Sequence, residues 1–523
     1  MVKMAPLLNI MTKHVPSILF LSPRVKKNEK TPPHFPLGIA YLAAYVKSKG
    51  FKVAAIDLNI DKDEEKLLKV AKKYDFVGIS VFATAQINHG YYIAQKIKIN
   101  LPHIKIVYGG YHTNSLPEEA FKIGYADYVI NGHGEISLYQ LMKGEELNKI
   151  PGLTYFQNGK FYSNPNNLPL DLDSLPFPAV HMFKIKEYQD DVHVLPYARN
   201  TAIDVKTSMG CPNFCTYCSA PLVYRGKVYT KSPDYTIKEL KHYIKNLGIK
   251  YFHFEDENCL VDRNKTVALC NKIIKEKLGI KYALMSSINI MYNNLDLVPL
   301  LSKSGCVCID LGMETASREV RKKINKSNNL KELLVVDRVL KENNIFPFIM
   351  IMTFNDGETL DSVAETTKFM LKLAPTKLQT VEYLRTNSSP YGFGQFATPH
   401  VGTVFFQKAN KTGLFLSQNN YDYHTWTKPS YIPNTFLYDI PFIPVKVAET
   451  LFINTIKVKE EEIKRYFDQY QSLFWNIYSK VNNRDTIMDL YNKYFSELDL
   501  AQICLAFGML AKLNLICSKH SHH

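Results

Sequence analysis

Cys211, Cys215 and Cys218 fall in the run MGCPNFCTYCSA, and any fold this chain adopts must bring their three thiols together. Thiolates spaced C-x3-C-x2-C can hold three irons of one [4Fe–4S] cube and leave the fourth iron with no protein ligand. Such an iron is free to chelate a small molecule. The alternative occupant is zinc, which normally takes a fourth cysteine or histidine at matching spacing. No such ligand stands near the trio in the sequence, so the spacing favours the cluster.

Around this motif the chain divides into stretches of different rhythm. Residues 1–150 alternate short apolar strands, SILFLS (17–22), KVAAIDL (52–58), FVGISVF (76–82), IKIVYGG (104–110) and DYVING (127–132), with helices over about 36–49, 62–73 and 86–99 and at PEEAFKIG. That alternation predicts an α/β domain with a parallel, doubly wound, Rossmann-like sheet. Ligands of such sheets lie beyond the carboxyl ends of the strands. Gly109–Gly110 and Gly132-His133-Gly134-Glu135 fall at two of those ends.

Residues 151–195 read as a linker, with a hairpin at IPGLTYFQNGKFY turning on Asn-Gly and a proline-rich LDLDSLPFPA. Over 196–410 a second series begins: TAIDVKTS (201–208), KYFHFED (250–256), YALMSSI (282–288), CVCIDLG (306–312), FPFIMIMTF (346–354) and LQTVEYL (378–384). Six strand–helix repeats predict a partial (β/α)6 barrel, whose functional groups belong on the loops after the strands. The cysteine run follows the first of these strands. Residues 411–523 lose the alternation and read as a mostly helical C-terminal domain.

A length of 523 residues accommodates two to four domains, and 46% hydrophobic with 22% charged residues is ordinary for a soluble globular protein. No stretch approaches the ~20 apolar residues of a membrane span. The opening segment lacks a signal-peptide core, and nine mostly scattered cysteines fit a reducing cytoplasm rather than a disulfide framework. The net charge of +15 comes from lysines spread over helices, which disfavours nucleic acid as the partner.

The cysteine spacing, with aromatic Tyr217 before the third cysteine, resembles the signature of radical S-adenosylmethionine (SAM) enzymes. Beyond it, FPLGIAYLAAYVKSKGFKVAAID, IKIVYGGYHTNSLPEEAF, ADYVINGHGEISLYQLM and LDSLPFPA stand in the order of landmarks of the cobalamin-binding branch of that superfamily. The resemblance runs roughly from residue 15 to 410 and includes carbon methylases and an anaerobic oxidative cyclase. It implies three cofactors: a [4Fe–4S] cluster on Cys211, Cys215 and Cys218, SAM, and cobalamin. Cobalamin contacts are implied at Ser80, Gly109, Gly110, His112, Gly132, Gly134 and Glu135. Many cobalamin proteins supply a lower cobalt ligand from an Asp-x-His-x-x-Gly loop. The comparable run here, Asp57-Leu58-Asn59-Ile60-Asp61-Lys62, has neither histidine nor glycine.

For SAM the resemblance implies Glu255, Asp256 and Glu257 near the amino group, Ser286 and Ser287 near the carboxylate, and Glu314 with Thr315 at the ribose, where the family usually has serine. Asp356 and Thr359 are expected to cap a helix, Tyr224, Tyr383 and Tyr391 are candidates for lining a substrate cavity, and the remaining cysteines read as buried packing residues. The implied activity is radical methyl transfer to an unactivated carbon of a small-molecule, peptide or lipid substrate, with a flavodoxin or ferredoxin as reductant. The alternatives are oxidative cyclisation, ring contraction or hydroxylation on the same cofactors, and a non-catalytic cobalamin-binding sensor.

Overall fold

The structure is a computed structural model that describes residues 15–24, 35–81, 84–122, 124–165, 171–190, 200–353, 355–356, 365–366, 369, 373, 395–396 and 402–411. The expected sixth barrel strand, the C-terminal helices, Thr359, Tyr383 and Tyr391 lie outside the described residues.

The first sheet contains β1 (Ser17–Ser22), β2 (Lys52–Asp57), β3 (Phe76–Ser80), β4 (Lys105–Gly109), β5 (Tyr128–Ile130), β6 (Leu153–Gln157) and β7 (Lys160–Ser163) in the order β2-β1-β3-β4-β5-β6-β7. The first five strands are parallel. Chain order reverses between β1 and β3, the switch point of a doubly wound sheet. Its helices are α1 (Leu37–Ser48), α2 (Glu64–Ala71), α3 (Thr84–Asn100), α4 (Tyr111–Ser115), α5 (Pro117–Lys122) and α6 (Glu135–Lys143). Successive side chains on a strand face opposite ways, so β1 feeds two cores. Leu19 and Leu21 pack with Leu67, Ile87, Ala94 and Ile97 of α2 and α3. Ile18 and Phe20 pack with Ile39, Ala43, Leu138 and Leu141 of α1 and α6. Gly78 follows from this packing, because a Cβ there would lie 2.8 Å from the Phe20 ring.

One expectation is corrected. The hairpin assigned to the linker is part of the first sheet: β6 pairs antiparallel with β5, and β7 with β6. Its Leu153 and Tyr155 are buried in the same core as Ile18 and Phe20. Burial of those two side chains, added to the ladder of hydrogen bonds, holds the hairpin on the sheet.

The second sheet has the order β16-β15-β14-β13-β12-β9-β8, from β8 (Gln189–Asp190), β9 (Asn200–Val205), β12 (Tyr251–Phe254), β13 (Lys281–Ser286), β14 (Cys306–Glu314), β15 (Phe346–Thr353) and β16 (Gln395–Phe396). From β9 onward each strand lies parallel to its predecessor. Consecutive parallel neighbours with no reversal are the winding of a barrel wall. A small antiparallel pair, β10 (Ser208–Met209) with β11 (Tyr229–Thr230), closes the cysteine loop. The helices are α7 (Ala220–Tyr224), α8 (Pro233–Leu247), α9 (Arg263–Lys275), α10 (Ile288–Tyr292), α11 (Val298–Ser304), α12 (Arg318–Lys323) and α13 (Leu330–Glu342). Good local signals set their ends: Ser232 accepts from Tyr235 N–H to cap α8, and Gly248 ends it at φ 69°.

The two sheets share a core. Phe35, Leu37, Ala40 and Tyr41 of the first domain are buried in one cluster with Leu240 and Tyr243 of α8 and with the outward faces of β9, β12 and β14. At that junction Lys231 Nζ, fully buried, donates to Tyr41 Oη at 2.7 Å and to Glu239 Oε2 at 2.5 Å. Tyr188 also joins the parts, donating from the connector to Asp57 Oδ2 at 2.8 Å.

Candidate active site

The cysteine loop leaves β9 and is held from below. Asp256, fully buried after β12, accepts from Thr207 N–H at 2.7 Å and from Ser208 Oγ at 2.7 Å. Glu257 Oε1 pairs with Lys206 Nζ at 3.1 Å, and its Oε2 accepts the Gly210 N–H at 2.9 Å. Gly210 has φ 104°, and a Cβ there would lie 2.1 Å from the Lys227 carbonyl oxygen. Glycine is therefore required immediately before Cys211.

The three thiols are half-buried and free. Burial pushes the Cys215 and Cys218 thiols up, Cys218 to about 11, and each feels the charge of its neighbours in the trio. The Ala220 N–H donates to Cys218 Sγ at 3.4 Å. Three thiolates here repel one another and call for a cation among them. Among the described residues, one group of three metal-ligating side chains has its ligand atoms within 4.8 Å of one another: Asp204, His253 and Glu255. The cysteines are not that group. A tetrahedral zinc with Zn–S bonds of about 2.3 Å would draw its sulfurs to roughly 3.8 Å. At least one pair of the three sulfurs therefore lies more than 4.8 Å apart, beyond the spacing of a single zinc ion.

Beside the thiols, Glu314 ends β14 at φ 65°, an unusual conformation for a residue with a Cβ. Lys326 Nζ donates to Glu314 Oε1 at 2.9 Å and to Tyr217 Oη at 3.3 Å. Burial opposes the Lys326 charge, but Glu314 and Cys215 outweigh it and raise its pKa. A cation, a carboxylate and a phenol thus meet next to Cys215. The sequence alone does not single out Lys326. It follows Glu314 by twelve residues across α12, and nothing local distinguishes it from surface lysines.

The other expected SAM residues divide. Asp256 and Glu257 spend their oxygens on the loop, as above. Glu255 is half-exposed, and its Oε2 lies 2.7 Å from His253 Nδ1, with Asp204 at 3.5 Å and Asp310 on the far ring nitrogen at 3.6 Å. Burial opposes the His253 charge, yet these carboxylates raise its pKa well above the usual imidazole range. Ser286 and Ser287 bind Asn258, which donates to Ser287 Oγ at 3.0 Å. The Thr315 hydroxyl is fully buried against Thr366 Oγ1 at 3.1 Å.

The carboxyl edge of the first sheet faces this assembly. Gly110 has φ 105°, and a Cβ there would lie 2.2 Å from the Val81 carbonyl oxygen. At Gly109 an added Cβ would meet only the Ile130 carbonyl oxygen, at 3.6 Å. Ser80 is half-buried opposite Gly109 in the ladder. Gly132 has φ 79°, and Gly134 precedes α6. Glu135 opens α6 with Oε2 buried and without a hydrogen-bond partner among the described residues, and burial pushes its carboxyl up to about 7. Bare backbone at Gly109 and a buried carboxyl at Glu135 fit the flat, amide-fringed ring of a corrinoid. His112 is turned to Glu119, with Nε2 and Oε1 at 2.8 Å. Asp57 is engaged by Tyr188 and by Asn59, so the loop after β2 is filled by protein.

The two edges touch. His133 packs on Tyr224 with ring centroids 5.9 Å apart, and Tyr111 hydrogen-bonds Tyr224. Burial holds His133 neutral, with a pKa of about 4, and pushes Tyr111 up to about 12. Glu257 and Lys206 act on both.

This is an enzyme architecture in which a three-cysteine loop on a partial barrel meets the ligand edge of a doubly wound domain. The description "B12 binding domain" matches residues 29–142, and "Radical SAM superfamily" matches residues 205–370. The chain carries the two domains of the B12-binding branch of the radical SAM superfamily. It is 28% identical to an uncharacterized methyltransferase of Pyrococcus horikoshii, over 75% of this chain and 82% of that protein. It is 25% identical to the anaerobic magnesium-protoporphyrin IX monomethyl ester cyclase of Rubrivivax gelatinosus, over 64% of this chain and 61% of the cyclase. The fold is shared with the cobalamin-dependent SAM radical enzyme OxsB, solved with aqua-cobalamin and SAM bound, at a TM-score of 0.68 and 15% identity, covering 97% of this chain and 80% of that one. Among the described residues no helix is long and apolar enough to cross a membrane.

Proposed function

We propose that this chain is a methyltransferase acting on an unactivated carbon of a small-molecule, peptide or lipid substrate, in a reducing cytoplasm and with a flavodoxin- or ferredoxin-like electron donor. The observation that carries the reading is the meeting of the two edges at His133, Tyr111 and Tyr224. When bound, cobalamin supplies a transferable methyl group, and the cluster with SAM supplies a hydrogen-abstracting radical.

The chain's own residues supply position and charge. Cys211, Cys215 and Cys218 hold the cluster, and Glu257, Asp256 and Gly210 fix the loop that carries them. Lys326 offers the cation for the SAM carboxylate, Tyr217 closes the pocket from the loop side, and Glu314 accepts from the ribose hydroxyls. Glu255 offers a carboxylate to the SAM amino group. Ser286 and Ser287 act through Asn258, which they orient, and Thr315 acts by fixing the turn after Glu314. Ser80, Gly109, Gly110, Gly132, Gly134 and Glu135 form the corrinoid face, and His112 braces it through Glu119. Tyr111 and Tyr224 keep water from the junction.

Anaerobic reconstitution with SAM and candidate substrates tests the reading. Methylated product with both S-adenosylhomocysteine and 5′-deoxyadenosine is expected. The similarity to the Rubrivivax cyclase favours the second reading, oxidative cyclisation on the same cofactors. Deoxyadenosine with an oxidised, unmethylated product would replace the first reading with the second.

A further inference from the structure

We propose that the tip of the cysteine loop, centred on Phe214, is the docking surface for an acidic one-electron carrier protein of the flavin or iron–sulfur class. The inference rests on the cluster assignment above and adds to it where the electron enters. Phe214 directly precedes Cys215, and it is 54% exposed. A half-exposed aromatic this close to a cluster ligand leaves apolar surface in water that a partner's contact would cover to advantage.

Two elements bracket the ring. A Cβ at Gly226 would lie 2.7 Å from Phe214 Cζ, so the turn Arg225-Gly226-Lys227 lies against it, and both cations of that turn are exposed. On the other side Asn325 Nδ2 donates to the Phe214 carbonyl at 2.8 Å, and the Thr216 N–H donates to the Ile324 carbonyl at 3.0 Å. These bonds dock the end of α12, with exposed Lys322 and Lys323, onto the loop. On α12 and these two turns the exposed acid is Glu319, 3.7 Å from Lys322 Nζ.

An apolar centre inside a charged rim is the layout of a protein–protein contact. A positive rim speeds and orients encounter with an acidic partner, and the net charge of +15 adds to the attraction. One electron leaves the donor's reduced centre and enters the cluster behind Cys215; the donor is oxidised by one electron, and no bond or proton changes hands.

The test uses the reconstituted holoprotein and the variant Lys227→Glu/Lys322→Glu/Lys323→Glu, with reduced flavodoxin as the protein donor and dithionite as a donor that needs no docking. Flavodoxin affinity is expected to fall by about tenfold or more, and flavodoxin-driven bleaching of the ~400 nm band to slow. Dithionite-driven bleaching is expected to be unchanged. Unaltered flavodoxin binding and reduction in the variant overturn the proposal while leaving the cluster assignment standing. A wild-type protein with no such band defeats the assignment itself. Should the triple variant fold poorly, flavodoxin binding to the wild type at rising ionic strength decides the matter: weakening with salt supports the surface, and indifference to salt refutes it.

Discussion

Glu257 Oε2 accepts the Gly210 N–H at 2.9 Å, so a carboxylate that follows the second barrel strand fixes the backbone one residue ahead of Cys211. Its other oxygen is paired with Lys206 at 3.1 Å. Glu257→Gln keeps the shape but gives up the ion pair and weakens the backbone bond. A loss of about 1–3 kcal/mol in loop stability is expected. Iron and sulfide analysis after identical reconstitution should find fewer clusters per chain, and full loading of the variant would contradict this role.

Cys215→Ala removes one of three cluster ligands. The ~400 nm absorption and all 5′-deoxyadenosine formation should disappear, whereas Cys306→Ala, in a buried packing position, should retain both. Survival of the absorption in the first variant would mean that the cluster is held elsewhere.

Lys326→Met leaves Glu314 and Tyr217 without their cation in a site where both partners are nearly buried. Removing one member of such a pair costs about 3–5 kcal/mol. SAM binding, followed by equilibrium dialysis, should weaken strongly. Lys326→Arg should restore binding in part. Equal SAM affinity in wild type and Lys326→Met would exclude the proposed carboxylate contact.

Glu135 gives the stability curve a predictable slope. Its carboxyl is pushed from about 4.5 to about 7 by burial. Below pH 4.5 folded and unfolded chains are both protonated, and the contribution is complete. Between 4.5 and 7 the unfolded chain releases the proton and the folded chain keeps it, so stability falls as pH rises, by up to about 3 kcal/mol. His133, held near 4, adds the opposite slope below its ordinary 6.5. Glu135→Gln in corrinoid-free protein should therefore lose less stability than wild type between pH 4.5 and 7 in denaturant titrations. Parallel pH curves for the two proteins would rule out a buried protonated carboxyl.

Much of this was legible in the chain because it is local. Strand–helix alternation places the parallel strands that the structure describes to within about three residues, and the cysteine spacing marks the loop. What the sequence could not disclose is long-range. The hairpin at Asn158-Gly159 is a clear turn, but its pairing with β5 depends on contacts some two dozen residues back. Asp256 and Glu257 read as ligand acids, whereas folding brings the Thr207–Gly210 backbone within their reach. Lys206 and Lys326 look like ordinary surface lysines until burial and a facing carboxylate single them out.

The Lys231–Tyr41–Glu239 contact bears on how such proteins diversify. Because the buried Lys231–Glu239 pair on the barrel side takes a further acceptor, the Tyr41 phenol, from the other domain, grafting a relative's N-terminal half onto this barrel would leave one ammonium hydrogen unsatisfied in an oily seam unless that acceptor travelled with it. An exchange of halves would have to match partners across this seam, whereas a change confined to the loops would leave it untouched.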